Sequence, residues 1–233
     1  MRTMLRNLTL TLAGMALCLV FLELALRILP ARSDSDMGYH VDPLIMTYRP
    51  RQIFRTSEGW SLAHATVQHA NNLGFLSTQD FVPNARAVAV IGDSFVDGSM
   101  LDERYRLGEQ TQGLSPQRPI YALGGPGSSL LDYGERMRFA AEKLAIKDFV
   151  LIMVAGDVEG SYCGSTDIHG PCIDRSSGES RTQRHAPPGQ VKQYLRHSAL
   201  MQYLYANLHL KPDQLLHNVA TMFYPPPRDG LKK

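Results

Sequence analysis

The chain has 233 residues, of which 44% are hydrophobic, 8% aromatic and 20% charged. At roughly 100 to 200 residues per domain, that length allows one folded domain with appendages, and the composition excludes disordered, collagenous and disulfide-dense classes. Arg2, Arg6 and Arg27 against Glu23 account for the whole net charge of +2, which leaves 21 basic and 21 acidic residues over 31–233; a neutral body argues against nucleic acid as a partner.

The first element is apolar. No charge falls between Leu8 and Leu22, and the apolar character resumes to Leu29. As a helix rising about 1.5 Å per residue, the segment spans the roughly 30 Å of hydrocarbon in a bilayer. Glu23 and Arg27 stand four apart and share a face near its far end. Arg2 and Arg6 precede the run, so the positive-inside tendency keeps the amino terminus cytoplasmic and sends the body across. A cleaved secretory signal is the competing reading, and no small-residue cleavage site supports it. Cys18 follows Leu17 and does not fit a lipoprotein signal.

Residues 31–85 read as an extended lead-in of short strands or loops, punctuated at Tyr48-Arg49-Pro50 and Val82-Pro83-Asn84. Three β-prone apolar runs follow, Ala87–Ile91, Pro119–Leu123 and Phe149–Ala155, each stopped by glycine. Such runs suit strands buried on both faces. Between the second and third, Ser129 to Ala145 reads as a helix whose apolar face holds Leu130, Leu131, Met137, Ala141 and Leu144. Phe95 to Gly113 has room for another. Strand and helix in alternation predict a parallel sheet with right-handed crossovers and ligands beyond the carboxyl ends of the strands.

Gly160 to Gly189 is polar and reads as a long loop. In an oxidising compartment Cys163 and Cys172, nine apart, can close a small ring; two unpaired thiols are the alternative. His169 and Asp167 lie between them, but the spacing fits no zinc pattern, and no metal is expected. Val191 to Leu210 reads as a single helix with Val191, Tyr194, Leu195, Met201, Leu204 and Leu208 apolar, ended by Lys211-Pro212. The Tyr224-Pro225-Pro226-Pro227 tail suits neither strand nor helix.

Chemistry is expected after the first core strand. Gly92-Asp93-Ser94-Phe95 puts a hydroxyl where strand turns into helix, beside free backbone N–H groups and the positive end of a helix dipole. A simple N-cap by Asp93 or Ser94 is the plain alternative. The Gly124-Gly125-Pro126-Gly127 turn lacks the lysine of a P-loop and the spacing of a dinucleotide fingerprint.

The anchor with Glu23 and Arg27, Asn72-Leu73-Gly74-Phe75, Val90-Ile91-Gly92-Asp93-Ser94-Phe95, Leu123-Gly124-Gly125-Pro126-Gly127, Lys147-Asp148-Phe149-Val150 with Gly156-Asp157-Val158, and Leu195-Arg196-His197-Ser198-Ala199-Leu200 occur in an order that resembles the SGNH (GDSL-like) hydrolase family, in particular its membrane-anchored bacterial members. The resemblance covers most of residues 8–205. It implies a flavodoxin-like three-layer parallel α/β sheet behind a transmembrane helix, a single-pass inner-membrane location with the body in the periplasm, and ester hydrolysis or acyl transfer without a cofactor. Ser94 falls on the nucleophile, supported by Asp93, and its own N–H on the oxyanion hole; Gly124 falls on the second donor. Gly156 stands where the family carries an asparagine, the third donor, and Ala122 replaces another asparagine.

The family's closing Asp-x-x-His block has no counterpart among the eight histidines, so the fold is expected to be an incomplete one. Asp213 and His217, four apart, are the weak substitute for a general base. On this reading the chain divides into an anchor over 1–30, a lead-in over 31–85, a shortened α/β domain over 86–224 and a tail over 225–233. Its partners are the membrane and an ester-bearing substrate, an acylated glycan or lipid. A non-enzymatic, membrane-tethered binding module in envelope or polysaccharide assembly is the alternative.

Overall fold

The computed structural model describes residues 2–33, 35–165, 169–186 and 189–210. Three parallel strands form the central sheet: β5 (Val88–Gly92) in the middle, β6 (Ile120–Gly124) on one side and β7 (Asp148–Leu151) on the other. Their register sets Gly92 opposite Gly124 and Ile91 opposite Leu151. All three runs form strands, although the third leaves the ladder early, after Ile152 N donates to Ile91 O at 2.9 Å.

Side chains alternate across the sheet, so each face has its own core. Ala89, Ile91, Tyr121 and Leu123 pack against Phe139, Ala140 and Leu144 of α4 (Leu130–Leu144). Val90 and Ala122 pack against Val96 of α2 (Ser94–Asp97), with Leu107 of α3 (Leu107–Leu114) beside them. Helix α4 starts at Ser129, whose N–H donates to Asp132 Oδ2 at 2.8 Å, and ends at Ala145 in the left-handed region, φ +57°. Its inward face is rotated from the expected one. Asp132, Tyr133, Arg136, Phe139, Ala140 and Leu144 are buried, while Ala141 is exposed and Leu130, Leu131 and Met137 are half-buried.

The lead-in is two antiparallel hairpins, β1 (Gly38–Asp42) with β2 (Ile45–Thr47) and β3 (Ile53–Glu58) with β4 (Ala63–His69). It belongs to the same core as the sheet. Ile45, Phe75 and Phe81 are buried there, each burial stabilising by about 1.5 to 3 kcal/mol. Phe81 stacks on Tyr121 with ring centroids 4.3 Å apart, and Gln79 Nε2 donates to Ile120 O at 2.8 Å, covering the outer side of β6. β7 has no such cover among the described residues. Val150 and Leu151 on the strand and Met153 just beyond it are exposed.

After α5 (Gly156–Gly160), the polar loop holds a hairpin, β8 (Pro171–Ile173) with β9 (Ser180–Thr182). Cys163 and Cys172 are joined in a disulfide.

The apolar segment forms α1 (Arg2–Ile28), exposed along almost all its length and long and apolar enough to cross a membrane. Its last turns belong to the body. Leu26 is buried, Glu23 accepts from Ser198 Oγ at 2.8 Å, Ala199 N at 3.0 Å and Leu200 N at 2.9 Å, and Arg27 donates to Glu23 at 2.8 Å and to His197 O at 3.3 Å. Arg55 of β3 donates to the carbonyls of Arg27 and Leu29. The region expected as one helix from Val191 is three pieces, α6 (Gln190–Arg196), α7 (Ala199–Gln202) and a π-helical turn Tyr203–Asn207. The break falls where Glu23 takes the free N–H groups of α7, a hydrogen bond that a continuous helix would already have used.

Candidate active site

Ser94 is the first residue of α2, directly after the middle strand and at its carboxyl end. Asp93 caps the helix, accepting from Phe95 N at 2.9 Å, so the capping role and the exposed serine coexist on neighbouring residues. Gly98, φ +62°, ends α2 after one turn. The Ser94 hydroxyl is exposed and makes no side-chain hydrogen bond among the described residues.

A polar network holds α2 from below. Asp97 is buried, accepts from Tyr48 Oη at 3.0 Å, and lies near Arg106, which donates to Gln68. Gln68 Nε2 reaches Ser99 O at 2.8 Å and Leu101 O at 3.0 Å. Desolvation pushes Asp97 up to about 6 despite these donors. This network fixes the helix that carries Ser94 to the lead-in.

The second turn sits against the same helix. Gly124 is buried at the end of β6, and a Cβ there would lie 2.2 Å from Asp97 N, so only glycine permits the approach. Gly125 N donates to Gly92 O at 3.1 Å. Amides alternate along a strand, so the N–H of Gly124 points away from β5 and from Ser94. The geometry therefore gives Gly124 a packing role. The exposed glycine of this turn is Gly127, φ +66°.

Beneath that turn, Arg136 is fully buried, touching Gly125 and donating to Met46 O at 3.4 Å. Its Nε and Nη1 have no acceptor among the described residues. Asp132 is beside it, but its oxygens are taken by Ser129 and by His169 N at 3.1 Å. Nothing in the spacing of α4 signals a buried arginine.

The third turn offers no side-chain donor at Gly156, the exposed first residue of α5, where a Cβ would meet nothing within 4 Å. Asp157 is structural: it accepts from Tyr133 Oη at 2.9 Å and from Val154 N at 2.8 Å.

Histidines do not complete the site among the described residues. His169 is buried beside Arg136 and His185, and desolvation with the Arg136 charge pushes it down to about 3. An imidazole held neutral to that degree is too weak a base for work near neutrality. His197 ends α6, its carbonyl bound to Arg27. Asp213 and His217 lie outside the described residues, as do Asp167 and the tail. Comparison with family models, curated proteins and solved structures finds no match to this chain.

Proposed function

We propose that this is a membrane-anchored, SGNH-type esterase-like protein in which Ser94 is the nucleophile and the strand ends of β5, β6 and β7 form a flavodoxin-like ligand edge. The observation that carries the reading is the position of Ser94, exposed, at a helix amino terminus, immediately after the middle strand of a parallel sheet. Such a position presents a hydroxyl beside N–H groups suited to a developing oxyanion. The substrate is an ester on a glycan or lipid outside the cytoplasm, and α1 supplies the tether. On the second turn, Gly127 is the better candidate donor, since Gly124 is buried and faces away.

Without a base the hydroxyl is a poor nucleophile. Labelling of the full chain in detergent by a fluorophosphonate, beside Ser94→Ala, tests the reading by intact mass. Label present in the parent and absent in the variant supports an activated serine. A folded parent that takes no label sinks it and leaves the second reading, a tethered binding module. That reading is favoured by the lack of any histidine bonded to Ser94 among the described residues and by glycine in place of an amide at position 156.

A further inference from the structure

The segment from Tyr194 to Leu208 carries apolar side chains that the folded body leaves wholly or partly uncovered. Tyr194 is 79% and Leu195 44% exposed, while Met201, Leu204 and Leu208 are half-buried. Its position relative to α1 is fixed by hydrogen bonds. Ser198, Ala199 and Leu200 meet Glu23, His197 O meets Arg27, and Asn207 Oδ1 accepts from Arg32 N at 3.1 Å. The start of α7 therefore lies level with Glu23, and the end of the π-helical turn level with Arg32. Glu23 stands five residues before the end of α1, about 7.5 Å along the axis.

Trp60, the single tryptophan of the chain, falls in the same band. It is 79% exposed in the turn between β3 and β4, and its carbonyl accepts from Tyr203 Oη at 3.0 Å. Asn207 Nδ2 donates to Ser57 O at 3.1 Å, which aligns that hairpin with the π-helical turn. Tyr205 is exposed beside it, and Arg27 and Arg55 lie at the same level. Exposed tryptophan and tyrosine with arginine, gathered around the outer end of an apolar helix, is the composition of a membrane–water interface. The helix length agrees: measured from Leu8, the first residue of the uncharged run, Glu23 lies about 22 Å and Ile28 about 30 Å along the axis, so the band from Glu23 to Arg32 straddles the outer edge of the hydrocarbon.

We infer that α6, α7 and the Trp60 turn form a collar resting in the headgroup layer of the bilayer that α1 crosses, so that the body is held against the lipid surface in one orientation. This rests on reading α1 as a membrane span. The collar also gives the exposed Trp60, Tyr194, Leu195 and Tyr205 side chains an occupant, the lipid itself.

Trp60 reports on this without mutation. The full chain is reconstituted in phosphatidylcholine–phosphatidylglycerol vesicles carrying bromine or nitroxide on the acyl chain near the headgroup or near the bilayer centre, and alkaline extraction is run on the same sample. Retention in the pellet, with Trp60 emission blue-shifted and roughly halved by the shallow label and less affected by the deep one, supports the collar. Retention with water-like emission that neither label quenches overturns the collar and leaves the span standing. Extraction into the supernatant overturns both. The Trp60→Phe, Tyr194→Trp chain repeats the measurement on α6, with the same expected result.

Discussion

Glu23 and Ser198, 175 positions apart in sequence, are joined by a hydrogen bond of 2.8 Å from the serine hydroxyl to the carboxylate. The same carboxylate takes the first N–H groups of α7 while Arg27 holds its other side. An acidic side chain from one helix thus serves as the amino-terminal cap of another. The charge pair near the far end of the apolar segment is the fastening between α1 and the body.

Glu23→Ala therefore strips the acceptor from Ala199 N and Leu200 N and leaves α7 only its own Ser198 cap on Met201 N. Loss of a cap costs about 0.5 to 2 kcal/mol, and here two N–H groups and a hydroxyl lose their acceptor together, so the upper part of that range applies. Thermal unfolding of the full chain in detergent is expected to shift down, with faster tryptic cleavage at Arg196. Unchanged unfolding and cleavage in Glu23→Ala would show that the contact does not fasten the helix.

Asp97 gives a pH dependence with a definite sign. Its folded value of about 6 lies above the 3.8 of the unfolded side chain because it is buried, so the folded state holds the proton more tightly. Its contribution is complete below about pH 4, is lost between about pH 4 and 6, and stays lost above, a difference of about 2 to 3 kcal/mol. In Asp97→Asn that loss disappears. Urea midpoints from pH 4 to 7 for parent and variant are the measurement, and parallel curves would refute the assignment.

Much of the architecture is legible from the chain because glycine and capping residues mark it. The three strands, the glycine ends of the first two and helix α4 between Ser129 and Ala145 follow from local patterns, while the third strand stops at Leu151, short of Gly156. The lead-in hairpins do not, because their interior is polar: Thr56, Ser57 and Gln68 are buried while Ile53 is exposed, the reverse of the alternation that marks a strand. Arg136 is hidden for a similar reason, since a charged residue at helical spacing reads as solvent-facing. The break at Ser198 depends on Glu23, which no local window contains. At the candidate site, Ser94 is legible from its place after a buried run, whereas the direction of the Gly124 amide depends on ladder register.

The disulfide predicts a thiol count. Maleimide tagging of the denatured, unreduced chain should add one tag, at Cys18, and reduction should raise the number to three. Three tags before reduction would contradict the bond. Closing a ring of this size stabilises by roughly 2 to 3 kcal/mol in the chain-entropy model, so proteolysis between 160 and 183 is expected to quicken in Cys163→Ser with Cys172→Ser.

Two glycines, one ending β6 and one opening α5, separate packing from chemistry. Gly124→Ala drives a methyl into the backbone of Asp97, and overpacking against backbone is expected to cost more than about 2 kcal/mol and displace α2. Gly156 has open space and no left-handed φ, so Gly156→Asn should fold as the parent does. If the third turn faces the oxyanion formed at Ser94, the new amide supplies the donor that position lacks. One such donor is worth about 10²- to 10³-fold in a working site, and even an imperfect placement should raise the rate of fluorophosphonate labelling about tenfold. The same gain must vanish in Ser94→Ala with Gly156→Asn. A folded Gly156→Asn chain that labels at the parent rate would separate the third turn from Ser94 chemistry and favour the binding-module reading.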